Sequence, residues 1–185
     1  DFRADMGVEP EVDRTKYIGG GGYNWYSEQS WWNKVTLFSD FDITYNKAGD
    51  VLEQEGEGRV TVEAIYQSKL TFGVEDRQRR GLRHDPSSLA VDNNSTLFDE
   101  KDIYFKGEFS PSESFVFKLD YSLSDKIDYA NDRLGEAYIF MPSVEWRWGQ
   151  HFLMNLTYNK TVLDADQQRV FSADLTDLRI TYQFD

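Results

Sequence analysis

The chain has 185 residues, 20 basic against 33 acidic, a formal net charge of -13, no cysteine and 16% aromatic residues. Its length suits one domain over 1–185 rather than two. The acid excess argues against a nucleic-acid partner, which needs a basic surface, and the lack of cysteine excludes disulfide scaffolds, thiolate metal sites and cysteine nucleophiles.

In chain order, apolar and polar residues alternate with the period of a β-strand. Two N-terminal stretches, 5–13 and 17–26, are the weakest, because Pro10 and the run Gly19 to Gly22 interrupt them. Val35, Leu37, Phe41, Ile43 and Tyr45 then stand against Thr36, Asp40, Asp42 and Thr44, and Val60, Val62, Ala64 and Tyr66 against Arg59, Thr61, Glu63 and Ile65. Leu70, Phe72 and Val74 alternate with Thr71, Gly73 and Glu75; Ile103, Phe105 and Phe109 alternate with Tyr104, Lys106 and Glu108. Between 115 and 123, Phe115, Phe117, Leu119, Tyr121 and Leu123 share one face, opposite Lys118 and Asp120. The run 136–148 carries Tyr138, Phe140, Val144, Trp146 and Trp148 against Glu145 and Arg147, with Pro142 breaking the donor pattern. A turn at 149–151 leads to Phe152, Met154, Leu156 and Tyr158, and Leu178, Ile180, Tyr182 and Phe184 close the series. The expectation is all-β, with about ten strands in an antiparallel up-and-down transmembrane β-barrel, or a segment of a larger one.

No run is long and apolar enough for a transmembrane helix, and the mean hydropathy is -0.65, but a membrane barrel alternates too finely to raise that average. Connections around 67–69, 110–113 and 149–151 read as short, and 46–58, 76–101, 124–135 and 163–168 as long and acidic, as periplasmic turns and extracellular loops would be. Trp25, Trp31, Trp32, Trp146 and Trp148 gather toward the short-turn ends, the pattern of a membrane-interface girdle. The other architecture open to this pattern is a soluble, secreted ligand-binding β-barrel whose apolar faces form a core.

The opening DFRADMG (1–7), with Val12, Asp13 and Arg14 and a Gly-rich strand after it, resembles the start of the C-terminal β-barrel region of a family of large bacterial outer-membrane proteins. Those proteins carry an N-terminal family-9-like carbohydrate-binding domain, and their barrel region is a domain of unknown function. LRITYQF (178–184) resembles a late strand of that region. The resemblance implies a bacterial outer-membrane location and a segment of a larger barrel with further strands beyond Phe184. Tyr182 and Phe184 also resemble the aromatic C-terminal signal read by barrel-insertion machinery, with the departure that Asp185 follows.

Chemistry is sparse, and no cofactor or metal is expected. Only His84 and His151 could serve as an imidazole base. His84, near Asp85, Ser87 and Ser88, is a weak catalytic candidate for a barrel-embedded hydrolase at the extracellular rim, because sequence neighbours rarely align as a triad. Arg77, Arg79, Arg80 and Arg83 form a basic cluster suited to lipopolysaccharide phosphates or another anion, or to pairing with Asp76, Asp85 and Asp92. Acidic stretches at 53–57 and 163–166 lack the spacing of a calcium loop. The polar positions of the strands, Asp40, Asp42, Arg59, Glu63, Glu75, Lys106, Glu108, Lys118, Asp120, Glu145 and Arg147, are the candidate lumen charges, filling a narrow barrel or setting the selectivity of a wider pore. The function expected is a non-enzymatic membrane anchor, scaffold or passive pore, with outer-membrane lipid, lipopolysaccharide, the barrel-insertion machinery and further strands of a longer parent protein as partners.

Overall fold

A computed structural model describes residues 14–80, 96–128, 130–131 and 133–184. These residues form nine strands: β1 (Arg14–Tyr26), β2 (Trp32–Asn46), β3 (Val51–Ala64), β4 (Ser68–Arg80), β5 (Leu97–Ser112), β6 (Phe115–Asp128), β7 (Arg133–Trp148), β8 (Phe152–Ala165) and β9 (Gln168–Tyr182). Each pairs antiparallel with its sequence neighbour, giving one sheet in the order β1 to β9, with β1 and β9 as its two edges. The up-and-down order expected from the sequence is present. The strand expected over 5–13 lies outside the described residues.

The strands are 13 to 16 residues long, about 45–55 Å at the usual rise. They outrun their sequence-based limits, and this corrects the expected loop pattern. Of the segments read as long loops, 46–58, 124–135 and 163–168 are mostly strand, and their turns shrink to 47–50, 129–132 and 166–167. Only 81–96, between β4 and β5, is long. The physical reason is local. Glu53, Glu55 and Glu57 look like loop by hydropathy, but each stands on β3 opposite Arg79, Arg77 and Glu75 of β4, where cations make an extended acidic stretch favourable. Asp166 and Gln167 both have positive φ, 51° and 64°, the backbone of a two-residue hairpin turn whose twist matches its strands. The β7–β8 register runs from Phe140↔Lys160 to Ser143↔Thr157, passing over Met141 and Pro142, as a missing proline N–H requires.

The pleat divides the sheet into two unlike faces. Val60, Phe72, Phe105, Tyr121 and Phe140 follow one another across five neighbouring strands on the apolar face. Their side chains are not a core: Phe72 is 52% exposed and Ile103, on the same face, 50%. Among the described residues only Ala64, Phe98, Ile127, Ala137, Val162 and Ala165 are buried apolar groups, and no large side chain is fully enclosed. The alternating aromatics therefore do not pack as the interior of a soluble barrel would.

The apolar band ends at a row of charge. Asp76 pairs with Lys101, the Lys101 amide donates to Asp125, and Asp125, Glu136 and Asp164 continue the row through β6, β7 and β8. The band is also staggered. On β2 it runs up to Ile43 and Tyr45, on β4 it is Leu70 to Val74, and on β9 it falls back to Leu178, Ile180 and Tyr182, below Asp174 on the same face. Such a drift is what tilted strands produce when a flat apolar layer crosses them.

Candidate functional site: the polar face

Every residue named as a candidate lumen charge lies on the face opposite the aromatic band. The register places Lys34 beside Glu63, Asp42 beside Glu55, Lys106 beside Asp120 and Glu108 beside Lys118. Glu145 and Arg147 follow on β7, joined at 2.8 Å. Lys16–Asp42 at 3.0 Å, Lys34–Glu63 at 3.2 Å and Lys118–Glu108 at 3.5 Å are further cross-strand ion pairs of this face.

Its centre is a row of like charge. Asp40, Glu57, Glu75 and Asp102 stand directly opposite one another on β2, β3, β4 and β5, and Ser124 of β6 ends the row. Adjacent carboxylates repel, and the neighbouring rows offset this. Arg59 reaches Glu57 at 2.8 Å while its guanidinium lies 4.3 Å from the centre of the Phe38 ring. Arg77 binds Glu75 at 2.7 Å, Glu55 at 2.5 Å and Glu53 at 3.4 Å. Lys126 approaches Asp102 at 3.8 Å, and the Tyr104 hydroxyl donates to Glu57. One oxygen each of Asp40, Asp42 and Asp102, and the Ser124 hydroxyl, are buried without a hydrogen-bond partner.

The arginine cluster is corrected in form. Arg77 and Arg79 are not loop residues: they belong to β4, point to the polar face, and pair with Glu53, Glu55 and Glu75 and with Glu100 rather than with Asp76. Arg80 points to the other face, where its guanidinium donates to the Val51 carbonyl at 2.8 Å. Arg83, His84, Asp85 and Asp92 lie outside the described residues. Glu53 and Glu55, which hold Arg77 together with Glu75, and Glu57 of the central row were missed as site residues, because an acidic run with glycines reads as loop. The Glu-x-Glu-x-Glu spacing of 53–57 was the signal that could have found them.

Away from this centre, Asp128 lies beyond the apolar band, past Asp125 on β6, and is 4% exposed. Burial pushes its carboxyl up, but hydrogen bonds from Asn131 at 2.8 Å and Arg133 at 3.0 Å, and the Arg133 charge, outweigh it and hold the carboxyl below its ordinary value. Arg133 also reaches Asp166 at 2.6 Å, tying two turns together. His151 sits in the β7–β8 turn, its Nδ1 3.0 Å from the Gln183 carbonyl and its ring beside Tyr182.

The tryptophans lie toward one end of the sheet. Trp25 is near the end of β1, Trp31 and Trp32 adjoin the 27–31 connection, and Trp146 and Trp148 precede the 149–151 turn, stacked with centroids 5.7 Å apart. Both connections lie at the same end of the sheet. Among the described residues, no three acidic or histidine side chains converge as metal ligands. No family model, curated protein or solved structure matches the chain.

Proposed function

We propose that this sheet is the wall of a transmembrane β-barrel in a Gram-negative outer membrane, serving as an anchor, scaffold or passive pore and not as an enzyme. The observation that carries the reading is the pair of unlike faces: a half-exposed aromatic and aliphatic band with no core beneath it, backed by a face of paired charges. In water such a band would be an exposed apolar patch far larger than a soluble monomer carries. Against lipid it is the outer surface, and the charged face is the lumen. The nine-residue stretch Phe115 to Leu123, apolar at every second position, the stagger of the band and the tryptophans at one end support it. So does the resemblance of 1–7 and 178–184 to the barrel region of carbohydrate-binding outer-membrane proteins. On this reading the partners are outer-membrane lipid, lipopolysaccharide near the charged rim, and the barrel-insertion machinery.

The test uses the absence of cysteine. Single cysteines at 118 through 123 carry a fluorophore in micelles of a brominated detergent. Quenching at 119, 121 and 123 but not at 118, 120 and 122 is expected. Uniform quenching, or a folded monodisperse chain in plain buffer, would overturn the reading.

A further inference from the structure

Resting on the membrane reading, the edges of the sheet carry a further consequence. β1 and β9 are both odd members of an up-and-down series, so they run in the same direction. Their outer backbone groups have no partner strand among the described residues. Joining β9 straight to β1 would make a parallel seam in an otherwise antiparallel sheet, whereas single-chain bacterial barrels close with an even number of antiparallel strands. A second copy does not solve this. Two copies crossing the membrane in the same sense and meeting β9 to β1 again make parallel seams, and meeting β1 to β1 or β9 to β9 requires one copy to be inverted.

We infer that the sheet is completed by an odd number of further antiparallel strands, contributed by polypeptide other than these nine strands and other than a second copy of them. The character of those strands is set by the edges they must extend. Tyr17, Tyr23 and Trp25 of β1, and Leu178, Ile180 and Tyr182 of β9, carry the apolar face to the limit of the sheet. Lys16 on one edge and Arg179 on the other carry the polar face equally far. The added strands therefore continue the same alternation, apolar outward and charged inward. Leaving either edge open is not an option within hydrocarbon, where unpaired backbone groups find no water to bond. Both edges are long and, but for the shift at Leu163/Asp164, regular, with no proline along either, so the backbone of each has the donors and acceptors to take a further strand.

The test compares the full chain with versions extended after Tyr182 by duplicated segments of itself: 27–46 adds one strand, 27–64 two and 27–80 three. Each carries Tyr23→Cys on β1 and, in turn, cysteines at the outward positions of its last strand, for the unextended chain Asp174→Cys, Thr176→Cys, Leu178→Cys and Ile180→Cys. Intramolecular disulfide formation in brominated micelles reports closure, because it needs Cα atoms within about 7 Å, and tryptophan quenching in the same samples reports apolar contact with detergent. Closure with one or three added strands, and not with none or two, is the expected result. A disulfide in the unextended chain, closure with two added strands, interchain disulfides only, or no closure in any version overturns the inference. Absence of quenching in every version removes the membrane reading beneath it, and so separates the two failures.

Discussion

The ring of Tyr104 lies over Gly73, its cross-strand partner on β4, and occupies the space that a Cβ at that position would take. From there its hydroxyl reaches Glu57, one strand further on. Glycine is thus required at 73 by a neighbour and not by its own backbone angles. Gly73→Ala should destabilise the sheet by about 1–3 kcal/mol, the usual cost of overpacking. In the Tyr104→Ala background most of that penalty should vanish. Urea unfolding of the four proteins in micelles measures the coupling, and equal penalties in both backgrounds would refute the contact.

The apolar face should respond to charge by depth. Phe105→Arg places a guanidinium in the middle of the apolar band and should cost about 2–4 kcal/mol, whereas Asp76→Arg, in the charged row that bounds the band, should cost about 0–1 kcal/mol. Equilibrium refolding into lipid vesicles distinguishes the two. Equal effects would mean that the band does not face hydrocarbon.

Arg77 is the hub of the polar face, with Glu53, Glu55 and Glu75 all within 3.4 Å. Arg77→Ala leaves three partly exposed carboxylates facing one another and should cost about 1–3 kcal/mol, less than for a fully buried pair. Arg77→Lys should restore only part of it, since an ammonium puts all its donors on one atom and lacks the planar fork by which Arg77 reaches Glu53, Glu55 and Glu75. Adding Glu55→Gln to Arg77→Ala should recover stability by removing a repelling charge. Denaturant midpoints at pH 7 provide the comparison.

Asp128 predicts an acid-sensitive turn. Its carboxyl is held below its ordinary value in the folded chain, so the unfolded chain binds the proton more readily. The stabilisation is fully present above the unfolded carboxylate value of about 3.9 and is lost as pH falls through the lower folded value. Asp128→Asn should be less stable than the parent at pH 6 and should lose less stability between pH 5 and pH 2. A parallel decline of both proteins would show that Asp128 is not the titrating group.

The alternation legible in the sequence determined the strands from Val35 onward and the division into two faces, because a period of two follows from backbone geometry alone. It placed Asp40, Arg59, Lys106, Lys118 and Glu145 on one face before any register was known. It could not extend the strands through 51–58 or 124–128, since hydropathy registers the charge of Glu55 or Asp125 but not the cation or amide that answers it. Pairing across strands is a property of register, and only the tertiary structure decided it. Register set Asp40 against Glu57 and Tyr104 over Gly73, took Arg77 and Arg79 out of a loop and into the charged face, and reduced three of the four expected long loops to short connections. The two parallel edges likewise became visible only when nine strands were laid in order, because strand direction depends on the count of all turns before it and not on any residue within the strand.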